Sequence, residues 1–275
     1  MAVLGSPFFR IAAPPPSLRD EVEMFWSYEG YAPPHPWDRV LATSSVDVVF
    51  PLAGQPLRWR DAAGLERTVH GAIVCGPRTS FYDVPVDSQR RMGGFRLKPG
   101  GAWSLLGVSV DELTEGFVSL AAVVGRDARE LDERLQATEG HQGRQLGLMR
   151  DFVLALRERS RARRHGAVLL ATHALSRPSE RTVESLADEA GLSHRRFIQL
   201  FRREVGLTPR DFRRVHRFHH AMSHASIDGF FDQSHWALEC RKLAGWSPTA
   251  LGFAARGADA LPAELRGQML PILPR

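Results

Sequence analysis

The chain is poor in cysteine, in lysine and in long apolar runs. Its two cysteines, Cys75 and Cys240, lie far apart with no C-x-x-C spacing, which argues against a disulfide framework, a zinc finger or a dithiol redox motif. Both read as buried small hydrophobes. No apolar run reaches the ~18–20 residues of a membrane-spanning helix, and Pro14, Pro15 and Pro16 break the opening stretch before the apolar run of a secretory leader could form. These absences set the expectation of a cytoplasmic protein with no membrane partner. Lysine is confined to Lys98 and Lys242 among 36 basic side chains, so the cationic groups are almost all arginine. A coding bias toward arginine accounts for the missing lysines, but not for where the arginines gather.

Residues 1–140 carry 14 basic and 18 acidic side chains, residues 141–220 carry 17 and 8, and residues 221–275 carry 5 and 5. The middle segment is therefore at +9 while the first half is at −4. A planar guanidinium suits bidentate contacts to phosphate or guanine, so the basic segment points to nucleic acid.

At 275 residues, two domains are the natural expectation. Residues 1–40, rich in proline and aromatics (Trp26, Pro33, Pro34, Pro36, Trp37), read as an irregular lead-in. From Val46 to Leu97, short β-branched or aromatic runs (46–52, 57–59, 72–75 and 94–97) are punctuated by Gly, Pro and Asp, the signature of a small barrel or sandwich. After Gly101 the signals turn helical. Ser109 and Glu112 have capping-box spacing, and Leu146, Met149, Phe152, Val153 and Leu156 form one helical face. The stretch 176–180 reads as a link. The expected class is α+β: a β-rich sensor or dimerisation unit (1–140), a helical linker (141–176), an all-α helix-turn-helix domain (177–258) and a tail (259–275).

Within the basic segment, Thr182 can cap a helix burying Leu186 and Ala190, and Gly191 supplies the left-handed stop. Ser193 caps a second helix whose apolar face is Phe197, Leu200 and Phe201. His194, Arg195, Arg196, Gln199 and Arg202 then point away from the core. Arginine and glutamine near the start of such a helix can pair with guanine and adenine edges in a major groove.

Val183-Glu184-Ser185-Leu186-Ala187 through Gly191-Leu192-Ser193, Phe197 to Phe201, Gly206-Leu207-Thr208-Pro209 and Phe212 resemble the first DNA-binding unit of AraC/XylS-type regulators. Gly229-Phe230-Phe231-Asp232-Gln233-Ser234-His235, Arg241, Gly245 and Ser247-Pro248 resemble the recognition helix of that family's second unit. Residues 45–120, with Cys75-Gly76-Pro77 and Phe95 to Gly101, look like a cupin-like N-terminal domain of one branch. The resemblance implies a sequence-specific transcriptional regulator that binds double-stranded DNA. It places Arg195, Ile198, Gln199 and Arg202 at bases, with Ser234 and His235 in the equivalent role in the second unit. His194, Arg196 and Arg203 are placed at backbone phosphates. A small-molecule effector, a homodimer and, for an activator, RNA polymerase are further partners it leaves open.

The sequence departs from the family between Phe218 and Gly229, where only His219 to Asp228 intervene and about one short helix is absent. The positioning helix of the second unit is then missing or improvised, and Cys240 replaces the usual large apolar residue. Either the first unit carries the binding, or the chain is a degenerate regulator that binds operator DNA weakly.

Other constellations are weaker. His216 and His220 have the i, i+4 spacing of a helical metal site, but with no third ligand in place, solvent- or phosphate-facing histidines on a basic helix are the stronger reading. A cupin-type enzyme lacks its histidine cluster, since His70 stands alone near Glu66. No cofactor, metal or catalytic residue is expected. Phe50, Trp59, Phe81, Tyr82, Phe95 and Trp103 are candidates to line an effector pocket, or equally to fill a packed barrel.

Overall fold

The computed structural model describes residues 3–4, 9–32, 35–178, 180–224, 229–257 and 272–274. Pro33, Pro34, Ser179, residues 225–228 and most of the expected tail lie outside the described residues. The chain opens with β1 (Val3–Leu4), β2 (Phe9–Ala12), β3 (Val22–Glu29), β4 (Trp37–Val40), β5 (Val46–Pro51), β6 (Leu57–Asp61), β7 (Glu66–Val69), β8 (Ile73–Cys75), β9 (Tyr82–Pro85) and β10 (Arg91–Leu97). It continues through α1 (Gly101–Leu106), β11 (Phe117–Ser119), α2 (Leu120–Val124), α3 (Arg126–Gln136), α4 (Gln142–Arg159), α5 (Gly166–Leu175), α6 (Val183–Glu189) and α7 (His194–Val205). It closes with α8 (Pro209–His224), α9 (Gln233–Ala244), α10 (Pro248–Gly257) and β12 (Ile272–Pro274).

The strands form two antiparallel sheets, ordered β1-β2-β3-β10-β5-β8-β11 and β12-β4-β9-β6-β7. The fold is thus α+β, a β-sandwich followed by helices. Side chains alternate across the larger sheet as strand geometry requires. Val46, Val48, Phe50, Phe95 and Leu97 face α3 and α4, where they meet Leu131, Leu135, Met149 and Phe152. The opposite face sends Met24, Trp26, Tyr28, Ile73, Cys75 and Met92 toward the smaller sheet. A buried hydrogen bond from Ser27 to the Gln145 side chain, 2.6 Å, ties β3 to α4.

Three sequence expectations are corrected here. The lead-in is not irregular: β2, β3 and β4 lie within it, and β3 pairs along its length with β10, Met92 facing Tyr28 and Phe95 facing Phe25. Ser109 does not cap through its side chain. Its hydroxyl donates to Asp111, 2.7 Å, and only a short 3-10 turn over Val110–Leu113 follows. Of the six aromatics proposed for a pocket, Phe50 and Phe95 instead pack toward the helices, and Trp103 lies on α1 under Arg203.

A second core is built from α5 to α10, with Phe197, Phe201, Phe212, Phe218, Leu243 and Leu251 fully buried. Two residues of the β-sandwich, Leu41 and Ala42, belong to it as well.

Candidate nucleic-acid interface

α6 begins with a reciprocal cap: Thr182 accepts from the Ser185 amide, 3.0 Å, and the Thr182 amide donates to the Ser185 hydroxyl, 3.2 Å. Gly191, at φ 64°, makes the tight turn, and Ser193 caps α7 by accepting from the Arg196 amide, 3.3 Å. Along α7, Phe197, Leu200, Phe201 and Val205 are buried, and the Phe201 ring meets Phe212 edge-on at 5.4 Å. The opposite face leaves His194, Arg195, Arg196, Gln199 and Arg202 exposed, with Ile198 half-buried beside them. Arg195, Gln199 and Arg202 fall at i, i+4 and i+7, one row of a helix that can enter a groove edge-on. Among the described residues none of Arg195, Arg196 and Arg202 is held in an ion pair. Arg203 is placed differently. Its guanidinium lies 4.6 Å over the Trp103 ring and 3.2 Å from Glu204, at the junction with the β-sandwich.

Only the eight residues 225–232 separate α8 from α9, too few for a further helix with its two turns. α9 nevertheless starts cleanly, with the Asp232 carboxylate accepting from the His235 amide at 2.7 Å. Ser234 is exposed. The His235 ring is half-buried, accepting from the Phe231 amide at 3.3 Å and standing edge-on to Phe230 at 5.5 Å.

α9 is held from two sides. From α8, Arg214 pairs with Glu239 at 2.6 Å and Phe218 packs on Trp236 at 5.6 Å. From the β-sandwich, the strand exit after β4 fills the remaining side: the Ala42 amide donates to the Leu243 carbonyl, 3.1 Å, and Arg39 donates to the Ala244 carbonyl, 3.2 Å. Arg39 is itself fixed by a bidentate pair with Asp83, at 2.7 and 3.0 Å, and by the rings of Phe81 and Trp246. Cys240 is fully buried in this core, and burial pushes its thiol up to about 12. Nothing in the sequence marked Arg39, Leu41 or Ala42, because their partners lie about 200 positions away.

Two histidines of α8, His216 and His219, are each engaged with the strand exit after β4. His216 shares a 2.8 Å hydrogen bond with Ser44, and His219 donates to the Ala42 carbonyl at 2.6 Å. Both belong to the junction.

Between the two sheets lies a cavity of about 80 Å³, lined mainly by apolar side chains, among them Met24, Trp26, Leu57, Trp59 and Phe117. Tyr82 and Cys75 reach it, and burial pushes the Cys75 thiol up to about 12. The Arg96–Asp47 pair, 2.8 Å, supplies one charged side, and Arg58 lines the cavity as well. Trp59 and Tyr82 are therefore the two aromatics of the sequence-derived set that line it. Phe81 stands outside, against Arg39.

α6 and α7, joined by the tight turn at Gly191, form a helix-turn-helix with an exposed basic row on its second helix. Residues 176–214 match the bacterial regulatory helix-turn-helix proteins of the AraC family, so the chain carries an AraC-type helix-turn-helix. Residues 10–119 match a domain family of unknown function, DUF6597. No curated protein matches the chain. Among solved structures, it is similar to ToxT from Vibrio cholerae O395, at 9% identity and TM-score 0.39, over 79% of this chain and 96% of that one. It is also similar to wild-type ToxT from Vibrio cholerae strain SCE256 bound to an unsaturated fatty acid, at 10% identity and TM-score 0.33, over 78% and 93%. Among the described residues no helix is long and apolar enough to cross a membrane.

Proposed function

We propose that this regulator binds double-stranded DNA sequence-specifically by laying α7 in the major groove, with residues 177–258 as the reading domain. The observation that carries this is the free row Arg195, Gln199 and Arg202 opposite the buried Phe197, Leu200 and Phe201. Arg195 and Arg202 have the geometry for guanine edges and Gln199 for adenine, with Ile198 beside them for apolar contact. His194 and Arg196, at the start of the helix, are assigned to phosphates, while Arg203 is committed to Trp103 and Glu204 and contributes less. α9 adds Ser234 as a second base contact, with His235 orienting the turn before it.

Residues 1–140 are assigned a sensing role, supported by the mostly apolar cavity between the sheets. The protein would act in the cytoplasm, where its DNA lies. Selecting bound sequences from a random duplex pool tests the proposal. Enrichment of one motif is the expected result, and an unenriched pool would end the reading.

A further inference from the structure

A cleft of about 670 Å³ opens on the outside of the β-sandwich, walled by Trp59, Arg67, Arg78, Ser80, Glu115 and Phe117 among others. Three observations there point the same way. Glu115 stands at φ 56°, the one left-handed backbone at a non-glycine residue among those described, a conformation disfavoured for any residue carrying a Cβ. Its carboxylate accepts from the Thr79 amide, from the Thr79 hydroxyl at 2.8 Å and from the Ser80 hydroxyl at 2.7 Å. Three donors therefore converge on one carboxylate, and a strained backbone holds it there.

Beside it, Arg78 is only 3% exposed, lies 4.3 and 4.2 Å over the rings of Tyr82 and Phe117, and donates to the Gly116 carbonyl at 3.3 Å. It forms no ion pair among the described residues, and a buried cation gains most from an anion brought close to it. Asp61, the other acid of the cleft, is turned onto its own hairpin amides, Ala63 and Leu65, each at 3.0 Å. Finally, Trp59 and Phe117 meet at 4.1 Å, their rings tilted by 32°, and form the wall that the cleft shares with the inner cavity, an apolar aromatic surface beside the donors.

We infer that the cleft binds a small-molecule carboxylate with a flat apolar body. The ligand's carboxylate takes the place of Glu115 on Thr79 and Ser80, close to Arg78, and its body lies on the Trp59–Phe117 pair. The site also reaches the DNA-binding half. Thr114, next to Glu115, donates to the Gly206 carbonyl at 2.8 Å, where α7 ends, so releasing Glu115 acts one residue from a contact that holds that helix. This last link rests on the reading of α7 as the DNA helix and of the β-sandwich as the sensor; the binding site itself does not need DNA.

The test uses the full-length chain without DNA, with phenylacetate as probe, phenylacetamide as its uncharged counterpart, and tryptophan fluorescence as the readout. Glu115→Gly removes the internal carboxylate and suits the left-handed backbone. Glu115→Asn, which also tolerates that backbone, is the second variant should the first fold poorly. In either, phenylacetate is expected to bind about tenfold more tightly than to the unaltered chain and about tenfold more tightly than phenylacetamide, a difference of the size that charge-assisted hydrogen bonds provide. Ser80→Ala in the same background is expected to remove most of the gain. Equal binding of acid and amide, no binding by the folded variants, or affinity no higher than that of the unaltered chain would overturn the inference. None of those results would bear on DNA recognition by α7.

Discussion

His219 donates through Nε2 to the carbonyl of Ala42 at 2.6 Å, joining α8 to a strand exit 177 positions earlier. Around this bond the β-sandwich also packs against α9, through the Ala42 amide on Leu243 and Arg39 on Ala244. α9 is therefore held by the β-sandwich as well as by α8, and its integrity should depend on residues outside α5 to α10.

Arg39 is the residue on which that dependence is most readily tested. Truncation by Arg39→Ala breaks the bidentate ion pair on the Asp83 carboxylate, only 2% exposed, and breaking a buried pair costs about 3–5 kcal/mol. Urea unfolding should show a loss of that order. Hydrogen exchange should quicken over α9 and α10 more than over α3 and α4, and uniform exchange across both cores would contradict the scaffold role.

Gly206 and Gly191 make a controlled pair. Both have positive φ, 92° and 64°, but a Cβ at Gly206 would come within 2.5 Å of Pro77 and 3.1 Å of Thr114, while at Gly191 nothing lies within 4 Å. Gly191→Ala should cost about 1 kcal/mol, the backbone term alone. Gly206→Ala should cost about 1–3 kcal/mol more, because the β-sandwich and the end of α7 must separate. Thermal midpoints of the two variants check this, and equal losses would show that the contact can yield freely.

The junction should also weaken in acid. Burial, and after it the neighbouring His219, hold His216 at about 4 against 6.5 for a free imidazole, and burial lowers His219 as well. The unfolded chain therefore takes up these protons at higher pH than the folded one. The contribution to stability is whole above about pH 6.5 and is lost as pH falls from about 6.5 toward 4. Denaturant midpoints should fall across that window, and His216→Gln, which keeps a polar partner for Ser44, should flatten part of the slope. An unchanged slope in the variant would remove His216 from the account.

Local signals made much of this legible in advance. Thr182, Gly191 and Ser193 sit at the caps and turn their chemistry suggests, and the runs from Val46 to Leu97 are strands, because each depends on neighbours within a few positions. Residues 1–40 read as irregular because their prolines dominate locally, whereas β3 is fixed by pairing with β10 some seventy positions later. The same distance hid the candidate site's surroundings. Alternation alone could not say which face of the larger sheet met the cavity, so Phe50 and Phe95 were candidates alongside Trp59. The strained Glu115 and the docking of Ala42 on Leu243 leave no periodic or compositional trace.

The most direct measurement of the central claim is the affinity of the full-length chain for its selected duplex and for a scrambled one, as a function of salt. The unaltered chain should show a steep salt dependence and a clear preference. Gln199→Ala should lose about 1–3 kcal/mol of discrimination at one position of the motif. Arg196→Ala should weaken binding to both duplexes alike and lower the salt slope by about one. If neither substitution changes affinity, preference or slope, α7 is not the helix that reads DNA.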